Sequence, residues 1–189
     1  NSGANAVIVS DGTLRAGFGT GGINALTVAS SGVMSFQNNL AEALTLTSGA
    51  LQVAGGARLG FELGAAGTSD KIISSVAAVV SGTITLDFFN LAGFGSGSYN
   101  LISAASGLDL ATFALGTAPA GFNYTLHTTA TVISLDVVSY VPIYWRGSQA
   151  TTSWATTNTG PLTNWATDAA GDNNYTTLPT ITDTVIFSA

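Results

Sequence analysis

Residues 82–138 constrain the fold more than any other stretch. Four short runs, TITLDFF, SYNLIS, FNYTLH and TVISLDV, are apolar or β-branched and are separated by Gly, Ser, Ala and Pro breaks. Short strands joined by turns read this way. In the first run Ile84, Leu86 and Phe88 alternate with Thr83, Thr85 and Asp87, and a period of two sends the two sets to opposite faces of a strand. Thr131, Ile133 and Leu135 alternate less cleanly with Val132, Ser134 and Asp136, so the second face of that strand is expected to be partly covered. No amphipathic period of helix length competes, and the chain is predicted to be all-β.

The first 56 residues contain an internal repeat: AVIVSDGTLRA from Ala6, ALTVASSGVMSF from Ala25 and ALTLTSGALQV from Ala43, with starts 19 and 18 residues apart. Each copy reads as an alternating strand, a Ser/Asp-Gly turn and a second short strand. A fixed short period is the mark of a solenoid, whose coils bury a core only by stacking. The expected fold is a right-handed parallel β-helix in which Val9, Val28 and Leu46 stack. A β-sandwich of hairpins is compatible with the same alternation. Near-constant period and scarce charge favour stacked rungs, because like charges in a ladder repel across each coil. Leu59, Phe61, Leu101, Phe113, Tyr124 and Leu126 extend the predicted interior, and Leu63 shares a face with Leu59 and Phe61. Residues 76–80 read equally as a buried strand or a turn of packed helix.

Composition removes several function classes. Four basic residues, Arg15, Arg58, Lys71 and Arg146, against ten acidic ones leave no patch able to neutralise a run of phosphates, so nucleic acid is not an expected partner. The chain has no cysteine, which excludes disulfides, thiolate metal sites and thiol catalysis. The apolar run at 76–80 is far short of the roughly 20 residues of a membrane-spanning helix, and no membrane insertion is expected. The chain starts at Asn1 without a basic, apolar leader, so any targeting segment is expected to have been removed or to lie outside it.

The succession SGTITLDFF, GSGSYNLISAASG, FALGTAPAGFNYTLH and TVISLDVV, followed by YWRGSQATTSW, TNW and DTVIFS, resembles bacterial autotransporter-associated β-strand repeat proteins over nearly the whole chain. The resemblance implies a secreted or surface-displayed passenger-type segment, a right-handed parallel β-helix with a structural or adhesive role. Two regions are expected: a β-solenoid over 1–139 and a Trp-rich β/loop unit over 140–189 that finishes in a terminal strand.

In that second region Trp145, Trp154 and Trp165 lie in polar sequence rich in Asn and Thr. They read either as the small core of a loop-rich unit or as an aromatic platform for sugar rings, with Asn158, Asn164, Asn173 and Asn174 supplying hydrogen bonds. Asp168 and Asp172, four residues apart, are weak calcium candidates whose spacing matches neither the EF-hand loop nor a glycine-aspartate repeat. No other metal site and no cofactor is expected. Asp70 beside Lys71 reads as a solvated charge pair, and Glu62 and His127 as isolated surface polar residues. A glycosidase needs two converging carboxyl groups, and the carboxylates here are scattered singly. The expected function is therefore noncatalytic: an extracellular structural building block of a bacterial surface fibre, sheath, layer or stalk, with a carbohydrate-binding or adhesive module as the alternative. The strand at Val7, Ile8 and Val9 has no charge or proline to blunt it, and Val185, Ile186 and Phe187 end the chain on an apolar strand. The expected partner is a second copy of the chain, joined head to tail through these six residues.

Overall fold

The structure, a computed structural model, describes residues 5–17, 22–140, 142–145, 164–167 and 185–187. The chain divides into two compact units, 1–138 and 139–189.

The first unit is a β-solenoid. Its first coil holds β1 (Val7–Arg15) and β2 (Gly22–Ile23), and its second holds β3 (Leu26–Ser35) and β4 (Ala43–Leu46). The third runs through β5 (Leu51–Val53), β6 (Arg58–Leu63) and β7 (Lys71–Ser74), and the fourth through β8 (Val79–Val80), β9 (Thr83–Asn90) and β10 (Gly97–Ser103). A 3-10 turn at Leu108–Leu110 then leads to β11 (Thr112–Leu115), β12 (Phe122–Thr128) and β13 (Val132–Ser139). One sheet stacks β1 on β3, β3 on both β5 and β6, and these on β8 and β9, with β11 after β9. The opposite sheet runs β2, β4, β7, β10, β13, β12. Pairing between coils is parallel, while β13 lies antiparallel to β10. The β-sandwich alternative is thereby set aside.

Stacking in register turns the alternation of each strand into continuous rows. Val9, Val28, Val53 and Val80 form one row, and Leu14, Met34, Leu59 and Leu86 another. A third row is aromatic. The ring centroids of Phe36 and Phe61 lie 5.7 Å apart, those of Phe61 and Phe88 6.5 Å, and those of Phe88 and Tyr124 6.4 Å, with the last pair only 9° from parallel. Burying one such ring contributes roughly 1.5–3 kcal/mol. Of the side chains predicted to face inward, Phe113, Tyr124 and Leu126 are half-buried against the core and the others are buried. Residues 76–80 resolve into a short strand: Val79 points out at 61% exposure and Val80 points in.

The repeat is longer than its first copies suggest. Register separates Val9 from Val28 by 19 residues, Val28 from Val53 by 25 and Val53 from Val80 by 27. Leu46 is buried, as expected, but it stacks between Ile23 and Ser74 on the opposite sheet, not on Val28. The physical reason lies in the Gly of each copy. In the first two copies, Gly12 and Gly32 sit inside one strand pair that shifts register after Val9. In the third, Gly49 forms a corner between sheets, where the Thr47 and Gly49 amides donate to the Ile23 and Asn24 carbonyls. The mid-coil bend of coil three falls at Gly56, whose φ of 91° and approach to the Ser30 carbonyl oxygen leave no room for a side chain.

Among the described residues, the second unit holds a three-stranded sheet in the order β15, β14, β16, where β14 is Ile143–Trp145, β15 Trp165–Ala166 and β16 Val185–Phe187. β14 is antiparallel to β15 and parallel to β16.

Candidate functional site

The strands singled out for assembly are edge strands. β1 pairs only with β3 among the described residues, and β16 lies at the margin of its sheet. Val9 is buried and Val7 partly so, while Ile8, between them, is 67% exposed. In β16, Ile186 is 37% and Phe187 55% exposed, and Val185 is half-buried. β16 is not frayed, as an apolar terminal strand without a neighbour would be: Val185, Ile186 and Phe187 pair in register with Ile143, Tyr144 and Trp145. β1 carries one blunting device that strand alternation does not reveal. Its register shifts between Val9 and Asp11, and the Asp11 carboxylate accepts the Gly12 N–H at 2.7 Å, taking up an edge amide locally.

Trp145 and Trp165, the two described tryptophans, do not lie in one plane. Trp145 and Trp165 are cross-strand partners packed edge to face, with centroids 4.9 Å apart and planes at 71°. Trp165 is buried, as is Asn164, and Phe187 meets Trp165 edge-on at 6.3 Å. Stacking on a sugar needs an exposed ring face, which buried Trp165 does not offer, while Trp145 is half-buried. Trp154, Asn158, Asn173, Asn174, Asp168 and Asp172 lie outside the described residues. Among the described residues no group of three His, Cys, Asp or Glu could hold a metal ion, and no helix is long and apolar enough to cross a membrane.

Two carboxylates expected at the surface are buried instead. Asp70 has no exposed surface: its Oδ2 accepts the Glu62 N–H at 2.6 Å and its Oδ1 the Glu42 N–H at 2.9 Å. Glu62 is 2% exposed and accepts the Asn38 and Asn39 N–H groups. The Asp70–Lys71 reading as a solvated pair is therefore corrected. Alternation sends neighbours to opposite faces, and the loop over 38–42 covers the face that Glu62 would otherwise show to water. No local signal in the sequence announces a loop that folds back over a strand.

Two further clusters bring together residues distant in sequence. Arg58 pairs with Asp87 through Nε at 2.9 Å and through Nη2, and the Thr117 N–H donates to the same carboxylate at 2.7 Å. On the outer face of the opposite sheet, Asp136 accepts from the Ser98 hydroxyl and lies 2.9 Å from His127 Nε2. The Ser98 and His127 hydrogen bonds hold the Asp136 carboxyl below the usual range. This trio has the composition of a catalytic triad but the wrong order. A serine nucleophile requires histidine in the middle as its base, and here the carboxylate is in the middle. His127 is on the surface, as expected, but it is not isolated.

No protein-family model matches the chain, and no curated protein matches it.

Proposed function

We propose that the chain is a noncatalytic, extracellular structural protein, a β-solenoid building block of a bacterial surface fibre, sheath, layer or passenger stalk that associates head to tail with copies of itself. The observation that carries this reading is the edge position of β1 with Ile8 exposed at its centre. An edge strand with an unpaired row of backbone groups is a template for another strand. β16, at the margin of its own sheet and bearing exposed Ile186, supplies the complementary strand. A contact between unlike surfaces that does not close into a ring propagates as a filament. The likeness to autotransporter-associated repeat proteins supports the surface location and the bacterial source. Among the described residues, the mutual packing of Trp145 and Trp165 does not favour the carbohydrate-binding alternative.

Negative-stain microscopy of the purified chain over a concentration series tests the proposal. Elongated assemblies are expected, shortened or abolished by Ile8→Lys or Ile186→Lys with an unchanged circular dichroism spectrum. Monodisperse particles at every concentration would refute self-assembly, and enzymatic turnover of a polysaccharide would refute the noncatalytic reading.

A further inference from the structure

The chain contains one Asp-Gly pair, Asp11–Gly12, and no Asn-Gly pair. It falls where the ladder between β1 and β3 is irregular: Val9 pairs with Val28, but Asp11 pairs with Ser31. That shift leaves Ser10 of β1 opposite both Ala29 and Ser30 of β3, so β1 is the shorter strand at this point. Asp11 and Gly12 are both exposed on the edge strand. The Gly12 nitrogen lies 2.7 Å from Asp11 Oδ1, which sets a backbone amide against the side-chain carboxyl of the residue before it. Gly12 holds a φ of 72°, and a side chain built there would meet nothing within 4 Å. Neither a side chain of its own nor a neighbour crowds the approach at that Cα.

No other described aspartate combines these features. Asp70 and Asp87 are buried. Asp136 is engaged by Ser98 and His127 and precedes the branched Val137. Asp109 is exposed, but it sits in the 3-10 turn and precedes Leu110.

We propose that Asp11 is a site of spontaneous covalent modification, converting in the folded chain to isoaspartate through a succinimide closed with the Gly12 nitrogen. In the closing step the nitrogen bonds to Cγ of the neutral carboxyl and gives up its proton, the Cγ–OH bond breaks, and one water leaves. Water then adds back to the ring. Breaking the new N–Cγ bond restores aspartate. Breaking the bond from that nitrogen to the Asp11 main-chain carbonyl carbon instead routes the backbone through Cβ and Cγ and leaves the α-carboxylate free, which is isoaspartate. The reaction consumes nothing but the water it released, and it needs no second copy of the chain. The ladder accommodates the product, because the new link lengthens the backbone by one carbon, about 1.5 Å, in the strand that is short at this point.

Ageing the folded full chain at mildly acidic pH tests this, with digestion and electron-transfer fragmentation, which cuts isoaspartate between Cα and Cβ, reading the yield at each aspartate. Isoaspartate at position 11 is expected to exceed that at Asp109 about tenfold or more, while the circular dichroism spectrum stays native. Asp11→Glu keeps the charge but would have to close a six-membered ring, and is expected to lose the product. The proposal would be overturned by an absence of isoaspartate at position 11 in the folded chain, by its formation only after unfolding in denaturant, or by an equal yield at Asp109. A signal that persists in Asp11→Glu, or a native spectrum lost in step with the yield, would overturn it as well.

Discussion

The two ends of the solenoid differ in what their last strands carry. At the N-terminal end a nine-residue strand, β1, and the short β2 are the outer members of their sheets. Behind them the core ends on partly buried Val7, Leu14, Ala16 and Ile23. At the other end β11 is only four residues long, and the chain after it turns back so that the Thr117 carbonyl accepts the Phe88 amide. There β12 places Phe122, Tyr124 and Leu126 over the core, and β13 is inserted antiparallel beside β10. Tyr124 stacks on Phe88 and donates its hydroxyl to the Pro119 carbonyl at 2.6 Å, and burial pushes its phenol up to about 12. A stack of coils does not end by itself: it needs short edges and large side chains, and among the described residues only one end has both.

The largest effect is expected where neither end matters. Phe61→Ala removes an inner ring of the aromatic row and should cost about 3–5 kcal/mol, measured by denaturant unfolding of the full chain. The comparison of ends comes next. Tyr124→Ala strips the lid and its hydrogen bond and should cost about 2–4 kcal/mol, whereas Leu14→Ala at the N-terminal end should cost about 1 kcal/mol because its site is already half open to water. Equal costs would mean that the two ends are equally covered. Asp87→Ala, which removes the acceptor of Arg58 and of the Thr117 amide, should cost about 1–2 kcal/mol, limited by the solvent around Arg58. Ile8→Lys should change folding by no more than about 0.5 kcal/mol, since the side chain it replaces touches water.

How far the sequence reveals this molecule follows from the range over which each feature is encoded. Strand alternation is local, so Ile84, Leu86 and Phe88 or Leu59, Phe61 and Leu63 disclose their inward face unaided. The stacking register is not local. It depends on whether a Gly bends a strand, as at Gly12, or turns a corner between sheets, as at Gly49, and both read as the same Ser-Gly punctuation. Buried polar groups are the least legible: Glu62 and Asp70 look solvated until a loop 20 or more residues away folds over them. The Ser98–Asp136–His127 cluster likewise exists only because β10, β13 and β12 lie side by side. The apolar opening of β1 over Val7, Ile8 and Val9 was legible because it is local sequence.

The central claim is that β1 of one copy receives β16 of another. The chain has no native cysteine, so a mixture of the Ile8→Cys and Ile186→Cys variants reports that joint without background. A disulfide forms only when the two Cα atoms come within about 7 Å. Under mild oxidation the mixture is expected to give a crosslinked dimer containing one copy of each variant, with neither variant crosslinking to itself. Crosslinking of Ile8→Cys to itself, or no crosslink in the mixture at concentrations where the native chain assembles, would contradict the account.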